Sequence, residues 1–174
     1  MRNFNVQEAI EVLERTPEVL TVLLPGLSDG WLRQNEGEET WNAIQIVEHL
    51  IEGERSNWLP RLEAILGGDG NAPLPAFNRF AHLQQTAEST IDERIAHFRG
   101  IRMENITRLK LLIQTDSQLE NEGQHPEFGT VKARELLSTW AVHDLAHLAQ
   151  MMRVMAKRYK EDVGPWIAYL GILK

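Results

Sequence analysis

The sequence predicts an all-α chain folded as a four-helix bundle with a short extra helix or turn at its C-terminus. Three observations carry this. Apolar residues recur at spacings of three and four in four long segments. Clusters of Gly, Pro and polar residues punctuate the intervals between those segments. No stretch alternates apolar and polar residues with the period of a half-buried strand. The 174 residues suit one core, so 1–174 reads as a single domain without repeats or low-complexity tracts.

The first helix is expected over 5–24, where Val6, Ala9, Ile10 and Leu13 repeat at helical spacing. Thr16-Pro17 reads as a cap and a fresh first turn, so a break or kink is expected at Thr16. Pro25-Gly26 ends the segment. A second helix over 41–66 follows a cap at Thr40. Its apolar face holds Ile44, Ile46, Val47, Leu50, Ile51, Leu62 and Ile65, and Pro60 should bend it. Gly67-Gly68 stops it, and 67–78 is a loop by composition. A third helix over 87–114 has Ser89 and Asp92 as a candidate capping box. Residues 115–129 read as a loop. Thr130 then caps a fourth helix over 131–159, apolar nearly all round and therefore expected to be central and buried. Gly164-Pro165 opens the last turn, Trp166 to Leu170.

Composition excludes several functions. With no cysteine, disulfides, thiolate nucleophiles and zinc fingers are impossible, and a metal must be held by His, Asp or Glu. A net charge of −7 without a basic cluster argues against a nucleic-acid partner, which needs several Lys or Arg on phosphates. No apolar run reaches membrane-spanning length, and the first residues lack the apolar core of a signal peptide; the expected compartment is the cytoplasm. Asn105-Ile106-Thr107 has the form of a glycosylation acceptor but falls on a predicted helix, so it reads as incidental.

Six histidines carry the functional argument. His143 and His147 lie one helical turn apart on the core stripe Leu136, Trp140, His143, His147, Met151, Val154. They read either as two buried structural imidazoles or as half of a transition-metal site; a shared cation would relieve the roughly 1–3 kcal/mol that each unpartnered ring costs. His49 falls on the flank of the second helix, near Ile46 and Gly53, where Gly53 leaves room for a ligand or a close helix contact. His82, His97 and His125 have no such partner spacing and read as surface or loop residues. Asp144 and Glu48 are candidates to orient a ligand or move a proton. Arg102 interrupts an apolar stripe; it either snorkels to water or turns inward to pair with Asp144 or Glu48, or to meet an anionic substrate.

Trp41 followed by Glu48-His49-Leu50, then His143-Asp144-Leu145-Ala146-His147-Leu148-Ala149-Gln150, resembles the DinB/YfiT-like superfamily of metal-dependent enzymes. The strings Leu13-Glu14-Arg15-Thr16-Pro17 and His125-Pro126-Glu127-Phe128-Gly129-Thr130-Val131 are similar to that family too, and the likeness covers about 5–160. The resemblance implies a four-helix bundle whose His49, His143 and His147 bind a divalent metal (zinc, nickel, manganese or iron). It also implies a small-molecule substrate, a thiol-dependent S-transferase or related hydrolase activity with a low-molecular-weight thiol as cosubstrate, and a homodimer. The alternative expectation is a non-catalytic dimeric stress or interaction module, with Trp166, Ile167 and Leu170 as its contact surface.

Overall fold

The computed structural model describes residues 3–71, 73–84 and 89–174. Its elements are α1 (Val6–Leu23), the short α2 (Asp29–Leu32), α3 (Ala43–Ser56), α4 (Trp58–Gly67), α5 (Ile91–Leu112), a two-stranded hairpin of β1 (Glu122–His125) and β2 (Gly129–Lys132), and α6 (Ala133–Ala156). Short 3₁₀ turns lie at Ala81–Gln84, at Asp116–Glu120 and along the C-terminus, where Gly164–Tyr169 is the expected final turn. The four rods of the bundle are α1, α3 with α4, α5, and α6. Each of α1 and α3 packs on both α5 and α6, so these two consecutive rods stand diagonally across the bundle. The 19-residue and 20-residue connections at 24–42 and 113–132 make the diagonal crossings. Among the described residues, no helix is long and apolar enough to cross a membrane.

Local chemistry moves several expected boundaries. α1 does not break at Thr16; it runs through Pro17 as one helix. Pro17 has no N–H for the Leu13 carbonyl, and Arg102 Nη1 of α5 donates to that oxygen instead, at 2.9 Å. α3 is capped by Asn42 rather than Thr40, in a reciprocal box with Gln45 at 3.0 Å each way. The Thr40 hydroxyl closes the preceding turn, donating to the Gly37 carbonyl. The expected single helix over 41–66 is two, divided at Asn57. Pro60 would clash with the carbonyl four residues back, so the chain restarts and the proline sits in the first turn of α4. α5 is boxed by Thr90 and Glu93, one residue beyond the expected Ser89 and Asp92; the expected start at 87 lies outside the described residues.

The segment 115–129 is not all loop. Its strands pair antiparallel from Glu122 opposite Lys132 to His125 opposite Gly129, and Gly129 takes the positive φ of +69° that the turn requires. The His125 Nδ1 accepts from the backbone N–H groups of Glu127 and Phe128, and Phe128 stacks on its ring. Thr130 lies inside β2, and α6 starts instead where Glu135 accepts from the Lys132 N–H. Nor is α6 buried all round: Val142 is 62% and Leu145 50% exposed. Trp166, Ile167 and Leu170 stay at least partly exposed.

A polar layer divides the core. On one side lie Ile10, Leu13, Trp58, Leu62, Ile65, Ile106, Leu109 and Trp140; on the other lie Leu20, Leu24, Ile46, Val47, Leu50, Phe98 and Met151. Between them Arg102 is fully buried, turned inward rather than snorkelling. It donates to Asp144 through both Nη atoms, at 2.6 and 3.1 Å, and to Glu54 at 2.8 Å. Glu54 also accepts from Trp140 Nε1 and Asn105 Nδ2, both at 2.9 Å. Asn105 is thus committed to the core, as its incidental reading requires. Arg102→Met would strand two buried carboxylates and the Leu13 carbonyl. We expect a loss of about 3–5 kcal/mol in unfolding free energy by urea denaturation, against a change below about 1 kcal/mol for the exposed Arg99→Met.

Candidate metal centre

The same layer brings His49 of α3 against His143 and His147 of α6. Their Nε2 atoms converge: 3.1 Å separates His49 from His143, and 3.1 Å separates His143 from His147. The ligating atoms of the three all lie within 4.8 Å of one another, and no other group of three or more His, Asp or Glu does so among the described residues. Nitrogens bound at about 2.0–2.1 Å to one ion stand roughly 2.9 Å apart at right angles and roughly 3.4 Å apart in a tetrahedron, so the observed spacing fits one cation.

The outer ring nitrogens fix the tautomers. His49 Nδ1 donates to the Arg79 carbonyl at 3.2 Å; a carbonyl only accepts, so His49 Nε2 carries a lone pair facing inward. His147 Nδ1 pairs with Gln150 Oε1 at 2.8 Å, which turns its Nε2 inward in the same way. His143 Nδ1 is buried without a protein partner. Lone pairs of two or three imidazoles aimed at one point are a donor set for a divalent transition metal.

Electrostatics agree with that donor set. Burial, aided by the neighbouring imidazoles, pushes His49 down to about 3 and His143 to about 2; burial also lowers His147, against Gln150 and Asp144. All three rings are therefore neutral near pH 7 and can ligate. His49, on the flank of its helix by spacing, is only 3% exposed.

Aromatic walls enclose the triad. Trp41 lies 4.6 Å from the His49 ring and is stacked 6.0 Å from His147. Trp58 meets the His143 ring edgewise at 5.0 Å. Gly53 serves this packing and leaves no ligand space: a Cβ there would come within 3.1 Å of Trp58 Nε1. A groove of about 320 Å³ opens beside the triad, lined by Thr40, Trp41, Arg79, Phe80, Gln150 and Arg153 among others. The triad rings themselves do not line this groove; it meets them through Trp41, Arg79 and Gln150, whereas a larger cavity of about 670 Å³, near Phe4, Ile10 and Leu119, has none of these residues in its wall.

The other candidates are placed differently. Asp144 spends both oxygens on Arg102 and orients no histidine. Of the two carboxylates offered to an inward Arg102, Asp144 takes the pairing; Glu48 pairs with Arg94, and Glu54 is the second partner of Arg102. His97 is exposed beside Arg55, and His125 belongs to the hairpin, beside Arg61. His82 is not a surface residue. It is 3% exposed, edge-on to Trp41 at 4.5 Å and to His49 at 5.2 Å. No periodic signal could have placed it there, because it arrives on the four-residue 3₁₀ turn Ala81–Gln84.

A sequence model of the DinB superfamily matches residues 12–151, a span that holds all three histidines. The chain belongs to the DinB superfamily. A solved relative, YfiT from Bacillus subtilis, matches with a TM-score of 0.75 at 17% identity, covering 90% of this chain and 91% of that one. YfiT is described as a probable metal-dependent hydrolase with an unusual four-helix bundle topology. At that identity the likeness shows the DinB-type fold. No curated protein matches the chain.

For this superfamily member, His143→Ala or His147→Ala should abolish stoichiometric metal by elemental analysis while circular dichroism keeps a helical bundle. Metal content equal to wild type would refute the triad. The metal-free bundle should also lose stability in acid. The unfolded chain protonates its histidines near 6.5, whereas the folded chain does so only far lower, so stability is complete above pH 6.5 and falls as pH drops toward about 3. Urea midpoints of chelator-treated protein at pH 8, 6 and 5 would read this, and the slope should shrink in His143→Ala.

Proposed function

We propose that this DinB-superfamily protein is a metal-dependent enzyme of the hydrolase type, acting on a small molecule at His49, His143 and His147. The convergence of the three Nε2 atoms beside a groove carries the reading. Three protein ligands suit a catalytic rather than a structural site, since positions remain for solvent or substrate. A divalent cation in that place, zinc, nickel, manganese or iron, supplies Lewis acidity and lowers the pKa of whatever water or thiol it holds. The groove is what favours an enzyme over a non-catalytic module.

The chain's own residues do the positioning. The Arg79 carbonyl and Gln150 hold two of the rings in the ligating tautomer. Trp41 stacks on His147 and leans on His49, walling one flank of the triad, and Phe80 extends that wall at 6.2 Å. Arg153 is anchored by two hydrogen bonds of 2.8 Å to Glu36, so it shapes the groove as a fixed pair. Glu48 and Asp144 are held in ion pairs, to Arg94 and Arg102.

Thiol transfer is the second reading. Neutral nitrogen ligands leave the cation's full charge to attract a thiolate, and a chain without cysteine must take its thiol from outside. Metal-loaded protein should hydrolyse members of a panel of activated esters and amides, with at least a tenfold loss on chelation and in His147→Ala. Equal rates with and without metal would overturn the hydrolase reading. A thiolate-to-metal absorption in the near ultraviolet, on adding small thiols to cobalt-loaded protein, would favour transfer instead.

A further inference from the structure

His82 is the one buried histidine outside the triad, and both its ring nitrogens are inaccessible to solvent and without a hydrogen-bond partner. A neutral imidazole always has one N–H and one lone pair, and leaving such groups unmet in a protein interior costs roughly 1–3 kcal/mol each. The Arg79 carbonyl lies close enough to attract a ring N–H and favour the protonated imidazole, which leaves the other ring nitrogen of His82 unmet in any case. That oxygen already accepts from His49 Nδ1 and makes no well-formed bond to His82. A residue needed only to fill space beside Trp41 would be apolar, because an apolar ring leaves nothing unsatisfied.

Position adds to chemistry. The His82 ring packs edgewise on His49, a triad member, and on Trp41, which also stacks on His147. Its nitrogens fall outside the tight cluster formed by the triad. It is therefore not placed as a fourth ligand, but it lies one ring away from the ligands. Residues 78–84 act twice on the site: Arg79 holds His49 by its carbonyl, and His82 brings an unspent imidazole alongside.

Building on the metal reading above, we propose that His82 is the hydrogen-bonding residue of the centre. It engages, through a ring nitrogen, the small polar ligand that shares the cation with His49, His143 and His147. The ligand class is a compact group with a lone pair or N–H/O–H beside its ligating atom, such as solvent, a small anion or the polar head of a substrate. His82 positions that ligand and does not hold the metal.

Cobalt-loaded protein titrated with azide, followed by visible absorption, tests this. His82→Phe, which keeps the ring volume, should bind cobalt with unchanged stoichiometry and weaken azide binding about tenfold. His82→Gln, which restores a donor, should recover part of that affinity. Equal azide affinity in wild type and both cobalt-bound variants would overturn the inference while leaving the metal site standing. Loss of cobalt stoichiometry in His82→Phe and His82→Gln, with folded bundles, would overturn it by making His82 a ligand. Failure of wild type to bind cobalt would overturn the metal reading, and this inference with it.

Discussion

One buried guanidinium holds the four rods in register. Arg102 belongs to α5, and its hydrogen bonds reach the α1 backbone, Glu54 of α3 and Asp144 of α6. Burial alone would favour its neutral form, but the two carboxylates outweigh that and raise its pKa. Such a layer is a weak source of net stability, since apolar residues of equal volume often do as well. Its effect is on specificity. An apolar core tolerates a helix sliding by a turn, whereas this layer has only one arrangement in which both carboxylates and the Leu13 carbonyl meet the guanidinium.

The histidine triad inherits its precision from that layer. Consecutive residues on a helix point about 100° apart. With Asp144 locked toward Arg102, its neighbour His143 must face α3, and His147 follows one turn on. Glu54 fixes α3 in the same way, one turn and a half beyond His49.

Much of this could be read from the residues. The four rods, the stripe that buries Trp140 and Met151, and the pairing of His143 with His147 all follow from helical spacing, and the resemblance supplied His49. What could not be read was chemistry between distant segments. Pro17 reads as a break, because the donor that keeps α1 whole stands on α5. Glu122-Gly123-Gln124-His125 has no apolar alternation, since its hairpin is held by turn geometry and His125 rather than by a buried face. The second helix divides at Asn57 because a proline acts on the residues before it. Asp144 looked like a partner for the histidine beside it, but neighbours on a helix face different ways. His82 gave no signal at all, because its surroundings are built by chain that lies far away in sequence.

Pro17 has a consequence for how the molecule assembles. Most helices close their hydrogen bonds from within, so they can form ahead of the fold. In α1 one mid-helix carbonyl, that of Leu13, is satisfied by a residue 89 positions later in the chain. The first rod is thus incomplete by itself and becomes whole only when the third docks on it. Cooperativity here has a covalent origin: a ring that removes one N–H obliges two distant halves of the polypeptide to order together.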